Sequence, residues 1–154
     1  MRRILFFDDY PNASENTLLM ERILRALKGA DVRITPERTI PALEEALRRT
    51  AFDIIILDIM AESPTRVDWP VNGHQVPETL MGIAVLDKCR AGKYGNLNRR
   101  AAILMRSARG ENHIMALCTE KGATAYYRAG SDDTRLVEEI ARIITELSAG
   151  GNPA

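Results

Sequence analysis

Two cysteines, one tryptophan, three phenylalanines and no excess of either charge are the scarcities of this 154-residue chain, and each excludes something. Cys89 and Cys118 stand far apart, with neither a CxxC spacing nor a His-rich companion segment, so the reading is a pair of reduced thiols. The 21 Lys and Arg balance the 21 Asp and Glu, which leaves no electrostatic footprint for nucleic acid or an anionic membrane surface. No apolar run approaches the ~20 residues that span a bilayer. The run Ile4 to Phe7 stops at Asp8 and Asp9, short of a signal-peptide core. The expectation is a cytoplasmic protein without membrane contact. What is present, 45% hydrophobic and 27% charged residues, describes one globular domain. A chain of this length buries roughly 70% of its unfolded surface and needs neither disulfide nor structural metal.

Apolar runs of strand length alternate with segments whose apolar residues recur at helical spacing, which is the α/β signature. The first strand reads Arg3 to Asp8. Asn12 with Glu15 forms a capping-box pattern, and Leu19, Ile23, Leu24 and Leu27 make one helical stripe that ends at Gly29. A short strand over 31–35 follows. Pro41 suits the first turn of a second helix that buries Leu43, Ala46 and Leu47. The third strand, Asp53 to Asp58, has an unbroken apolar centre, implying burial on both faces as in a parallel sheet. Residues 60–77, with Trp69 and His74, hold no sustained period and read as an extended loop. Leu80, Ile83 and Leu86 restore helical spacing. A fourth strand, Ala101 to Met105, leads to Ser107. A helix over 112–121 buries Ile114, Leu117 and Cys118, a fifth strand spans 124–128, and a last helix from Asp132 or Asp133 carries Leu136, Ile140, Ile143, Ile144 and Leu147. Five βα units make a single domain over 1–149, with 150–154 as a disordered tail.

Parallel sheets bind ligands outside the carboxyl ends of their strands. Asp8 and Asp9 end the first strand and Asp58 ends the third; in a sheet of order 2-1-3-4-5 those strands are neighbours. Converging carboxylates raise one another's pKa unless a divalent cation neutralises them, so the cluster predicts Mg²⁺. Acids at strand ends also serve as solvated loop residues or helix caps, and Ser107 read alone is equally a hydroxyl capping the next helix.

Taken together, Ile4 to Asp9, Ile54 to Asp58, Met105-Arg106-Ser107-Ala108 and Gly122 to Tyr126 give a sequence that resembles the receiver domain of two-component response regulators, in order and over nearly the whole chain. The resemblance implies a flavodoxin-like (βα)5 three-layer sandwich. It implies Asp58 as the phosphoacceptor, supplied by a sensor histidine kinase or phosphotransfer protein. Asp8, Asp9, Asp58 and the backbone carbonyl of Met60 would hold Mg²⁺. Ser107 would contact the phosphoryl group, and Tyr126 would be an aromatic that changes rotamer on activation. The expected role is a phosphoacceptor signalling domain, not an enzyme, apart from weak self-dephosphorylation. It acts by contact with an output protein, without touching nucleic acid, and dimerisation through the fourth and fifth helices stays open.

The pattern breaks in two places. Receivers carry Lys-Pro after the fifth strand, where this chain has Ala129-Gly130; Arg128 and Arg109 are the candidate substitutes, and each is equally an ordinary solvated charge. The stretch over 60–77 is also longer than a receiver's usual crossing. In it Trp69 reads as packing back on the domain or anchoring a partner, and His74 as a surface histidine. These departures support a second reading, a pseudo-receiver that binds protein without phosphate. A third is a Mg²⁺-dependent phosphohydrolase of the haloacid dehalogenase type, whose Asp-x-Asp signature Asp8-Asp9-Tyr10 does not supply.

Overall fold

Unbroken aliphatic runs make the centre of the sheet. The structure, a computed structural model, describes residues 1–8, 13–59, 69–71, 74–76, 81–108 and 112–150. Its elements are β1 (Arg2–Phe7), α1 (Ser14–Ala26), β2 (Val32–Glu37), α2 (Ile40–Arg49), β3 (Ile54–Asp58), β4 (Trp69–Val71), β5 (His74–Val76), α3 (Met81–Arg90), β6 (Ala102–Ser107), α4 (Asn112–Glu120), β7 (Ala125–Arg128) and α5 (Asp133–Ser148). Five strands form one sheet in the order β2-β1-β3-β6-β7, and its four strand pairs are all parallel. This is the expected 2-1-3-4-5 order once the short β4 and β5 are set aside.

Alternation along the central strands splits the core into two layers. Leu5, Phe7, Ile55, Leu57, Ile103 and Met105 face α2, α3 and α4. Ile4, Phe6, Ile54, Ile56, Ala102 and Leu104 face α1 and α5. Burial on both faces explains why these strands read as continuous apolar runs. The edge strand β2 runs two residues beyond its expected end and includes Pro36, paired in register with Phe6. An edge position tolerates proline because its missing N–H faces away from the ladder.

Three sequence expectations need correction. Helix α1 opens at Ser14 with Ala13 as its N-cap and no side-chain cap, and Asn12, expected to cap it, lies outside the described residues. Leu24 is exposed, because residues 16, 19 and 23 lie on the α1 face turned to the sheet and residue 24 turns a further 100° away. Within the expected loop over 60–77, β4 and β5 pair antiparallel, Trp69 with Val76 and Val71 with His74; the remainder of that stretch lies outside the described residues. Both cysteines are free and buried. Burial pushes the Cys118 thiol up to about 12, which leaves it protonated and unreactive at neutral pH. Among the described residues no helix is long and apolar enough to cross a membrane.

The far end of the sheet is tied by one amide. Asn98 is buried; its Oδ1 accepts from Phe52 N at 2.7 Å, and its Nδ2 donates to Leu47 O at 2.9 Å and Thr50 O at 2.7 Å. It thereby ends α2 and aims the chain into β3. Asn98→Ala strands three backbone groups, and the expected cost is about 3 kcal/mol, with a Tm lower by about 6–12 °C in thermal unfolding. A loss below about 1 kcal/mol would mean that water replaces the amide.

Candidate functional site

At the carboxyl edge of the sheet, hydrogen bonding continues just past the strands. Asp8 N donates to Glu37 O at 3.1 Å and Ala129 N to Ser107 O at 2.8 Å, so the residues that end β1 and β7 are fixed by the ladder. Phe7 pairs with Leu57, and Asp58 pairs with Arg106. Asp8, Asp58 and Arg106 therefore occupy one row across three adjacent strands, each about 4.8 Å from the next. Alternation sets all three on the α1/α5 face, because Phe6, Ile56 and Leu104, two residues earlier on each strand, pack there.

These residues line a cavity of about 290 Å³, together with Ala13, Glu15, Asn16, Ser107, Ala108 and Ala129. Asp8 and Asp58 are half-buried, and Ser107 is buried. A larger cleft of about 480 Å³ lies at the opposite end of the sheet, among Phe52, Asp53, Arg99 and Ala102. Its one carboxylate, Asp53, is already engaged by Arg2 Nη1 at 3.4 Å and Arg3 N at 2.8 Å. The smaller cavity is the candidate site, since open α/β sheets bind at the carboxyl ends of their strands.

The sequence reasoning missed Arg106. Its side chain is 7% exposed, within a strand whose six residues are all buried. A buried guanidinium needs partners, and it has them on two helices. Nε and Nη2 grip the Asp133 carboxylate at 3.0 and 3.2 Å, and Nη1 donates to Asn16 Oδ1 at 3.0 Å. The same Nη1 lies 3.9 Å from Asp8 Oδ2. The first turns of α1 and α5 are thus joined through a charge that borders the pocket. One signal was legible in the sequence: a single arginine inside an apolar strand run demands buried acceptors.

Gly82 is the second omission. Its N–H donates to Ile59 O at 3.1 Å, and a Cβ there would stand 2.0 Å from the Asp58 carbonyl oxygen. The start of α3 therefore packs directly on the backbone that carries Asp58, which requires a residue without a side chain.

The other expected site residues fall as follows. Tyr126 pairs with Met105, is partly buried against the α2/α3/α4 layer, and shares with Ser107 the parity of that face. Ala129 lines the pocket where a receiver carries lysine. Arg128 pairs with Ser107, is exposed, and by alternation belongs to the face opposite Asp8 and Asp58; it is not among the residues that line the pocket. Arg109, Asp9 and Met60 lie outside the described residues. Among the described residues no group of three metal-ligating side chains occurs; the pocket presents Asp8 and Asp58, with Glu15 also on its wall. Two hard carboxylates in an open cavity fit Mg²⁺, which keeps several waters and takes one or two carboxylates.

No family model and no curated protein matches the chain. Solved structures do. A CheY-like response regulator receiver domain protein from Methanospirillum hungatei is similar at 17% identity over 98% of this chain and 99% of that one, with a TM-score of 0.62. The signal receiver domain of a putative Luxo repressor protein from Vibrio parahaemolyticus is similar at 18% identity over 97% and 95%, with a TM-score of 0.63. A response regulator from Burkholderia pseudomallei, whose structure holds a phosphorylated aspartic acid, a calcium ion and citrate, is similar at 13% identity over 97% and 72%, with a TM-score of 0.58. Likeness at these identities concerns the fold. The chain has the flavodoxin-like fold of response regulator receiver domains.

Proposed function

We propose that the chain is a phosphoacceptor signalling domain in which Asp58 takes a phosphoryl group from the phosphohistidine of a sensor kinase or phosphotransfer protein. The observation that carries the reading is the row of Asp8 and Asp58 on adjacent strand ends, opening on one cavity that Ser107 also lines. An Asp58 carboxylate oxygen attacks phosphorus, the phosphorus–nitrogen bond breaks, and the imidazole nitrogen takes up a proton. The product is an aspartyl phosphate, an established covalent role for a carboxylate. Asp8 and Asp58, with Asp9 and the Met60 carbonyl from the adjoining segments, would hold Mg²⁺, which neutralises charge on the transferring group. The Ser107 hydroxyl would donate to a phosphoryl oxygen.

The modification adds about −1.5 to −2 charge at the end of β3. Tyr126 would change rotamer with Ser107, altering the face made by α4, β7 and α5 and with it contact with an output protein. The domain acts in the cytoplasm and turns over no substrate beyond slow loss of its own phosphoryl group. One observation favours the phosphate-independent binding module instead: Ala129 stands where a cation is expected, while the buried cation Arg106 lies against Asp8.

Incubation with acetyl phosphate and Mg²⁺ is expected to add about one phosphoryl group per chain by intact mass, and chelating the metal to prevent it. Mg²⁺ binding with no adduct would favour the binding module. Multiple turnover of a phosphate ester would contradict both readings and indicate a phosphohydrolase.

A further inference from the structure

We propose that Arg106 is the anion-binding cation of this pocket, doing from β6 what no residue of β7 is placed to do. The inference rests on Asp58 being the acceptor, and the ligand class is a tetrahedral dianion carried on Asp58. Arg106 stands opposite Asp58 in the β3–β6 register, on the same face by alternation, and both line the same cavity. Its planar fork suits a phosphoryl group, whose oxygens it can bind in pairs.

The guanidinium is already held in position. Asp133 takes Nε and Nη2, and Asn16 takes Nη1. Nη1 also faces Asp8 at 3.9 Å, on the row that runs on through Asp58. A dianion at Asp58 would draw the guanidinium along that row, in competition with Asp133. Arg106 so links the chemistry of the pocket to the first turn of α5. The same position predicts an opposite effect on a metal cation, since a positive charge beside Asp8 repels Mg²⁺.

Two affinities measured in parallel test this: Mg²⁺ alone by calorimetry, and beryllofluoride in the presence of Mg²⁺. Arg106→Gln is expected to weaken beryllofluoride binding at least about tenfold and to tighten Mg²⁺ severalfold. Opposite movement is the signature, because a merely damaged pocket loses both. Arg106→Lys, which keeps the charge and loses the fork, is expected to hold Mg²⁺ affinity within about threefold of the wild type and to weaken beryllofluoride less than Arg106→Gln does. Asp133→Asn, which keeps the arginine and releases it from one partner, is expected to tighten beryllofluoride severalfold, and it carries the test if Arg106→Gln does not fold. Unchanged beryllofluoride affinity in Arg106→Gln, parallel loss of both ligands, or weaker binding in Asp133→Asn would overturn the proposal. Failure of the wild type itself to bind beryllofluoride would count against Asp58 as acceptor, whereas the Mg²⁺ comparison still reads the charge of Arg106.

Discussion

Asp58→Asn is expected to leave the fold standing and to end phosphoryl acceptance, from about one group per chain to none. The substitution keeps the shape of the side chain, and the β3 backbone keeps its partners on β1 and β6. It removes the carboxylate proposed as the nucleophile. Stability moves little, because the change relieves repulsion from Asp8 and forfeits attraction to Arg106 at once. Cross-strand charge pairs contribute about 0.2–1 kcal/mol each, so the Tm should stay within about 2 °C of wild type. Intact mass after acetyl phosphate treatment and a thermal melt read the two halves separately. A persistent adduct with an unchanged melt would show that another side chain accepts the group.

Gly82→Ala should damage fold and site together. The added Cβ would meet the Asp58 carbonyl oxygen at 2.0 Å and the Ile59 Cα at 2.8 Å. Both are backbone atoms, so no rotamer change gives relief, and α3 must move off β3. Overpacking of this kind costs about 3 kcal/mol, which lowers the Tm by about 6–12 °C. Any displacement also shifts the strand end that carries Asp58, and a misplacement near 1 Å costs about a hundredfold in rate. Thermal melts and the initial rate of phosphorylation by acetyl phosphate check both effects. A wild-type rate in Gly82→Ala would mean that α3 yields without disturbing β3.

The fold was legible because its signals are local. Runs such as Ile54-Ile55-Ile56-Leu57 announce a strand buried on both faces, and Leu136, Ile140, Ile143 and Ile144 announce a helix with one buried stripe; the structure agrees on both. The place of Asp8 and Asp58 at one sheet edge was legible for the same reason, each being the first charge after an aliphatic run, and both line the candidate pocket. The contacts of Arg106 were not, because Asn16 lies 90 residues away and Asp133 lies 27 away in the chain; only the sheet brings them together. Gly82 gives no signal in the sequence, since nothing in residue spacing reveals the approach of two backbones. Leu24 was misread because a stripe two residues wide does not say which flank meets the sheet.

Asp58, the carboxylate that ends β3, is the proposed nucleophile of the pocket. The most direct measurement treats the wild-type protein with acetyl phosphate and Mg²⁺, reduces the product with borohydride, and sequences the peptides. An acyl phosphate on a carboxylate is converted to the corresponding alcohol, so homoserine is expected at position 58. Reduction at another acid, or recovery of every aspartate intact from protein that carried the phosphoryl group, would contradict it.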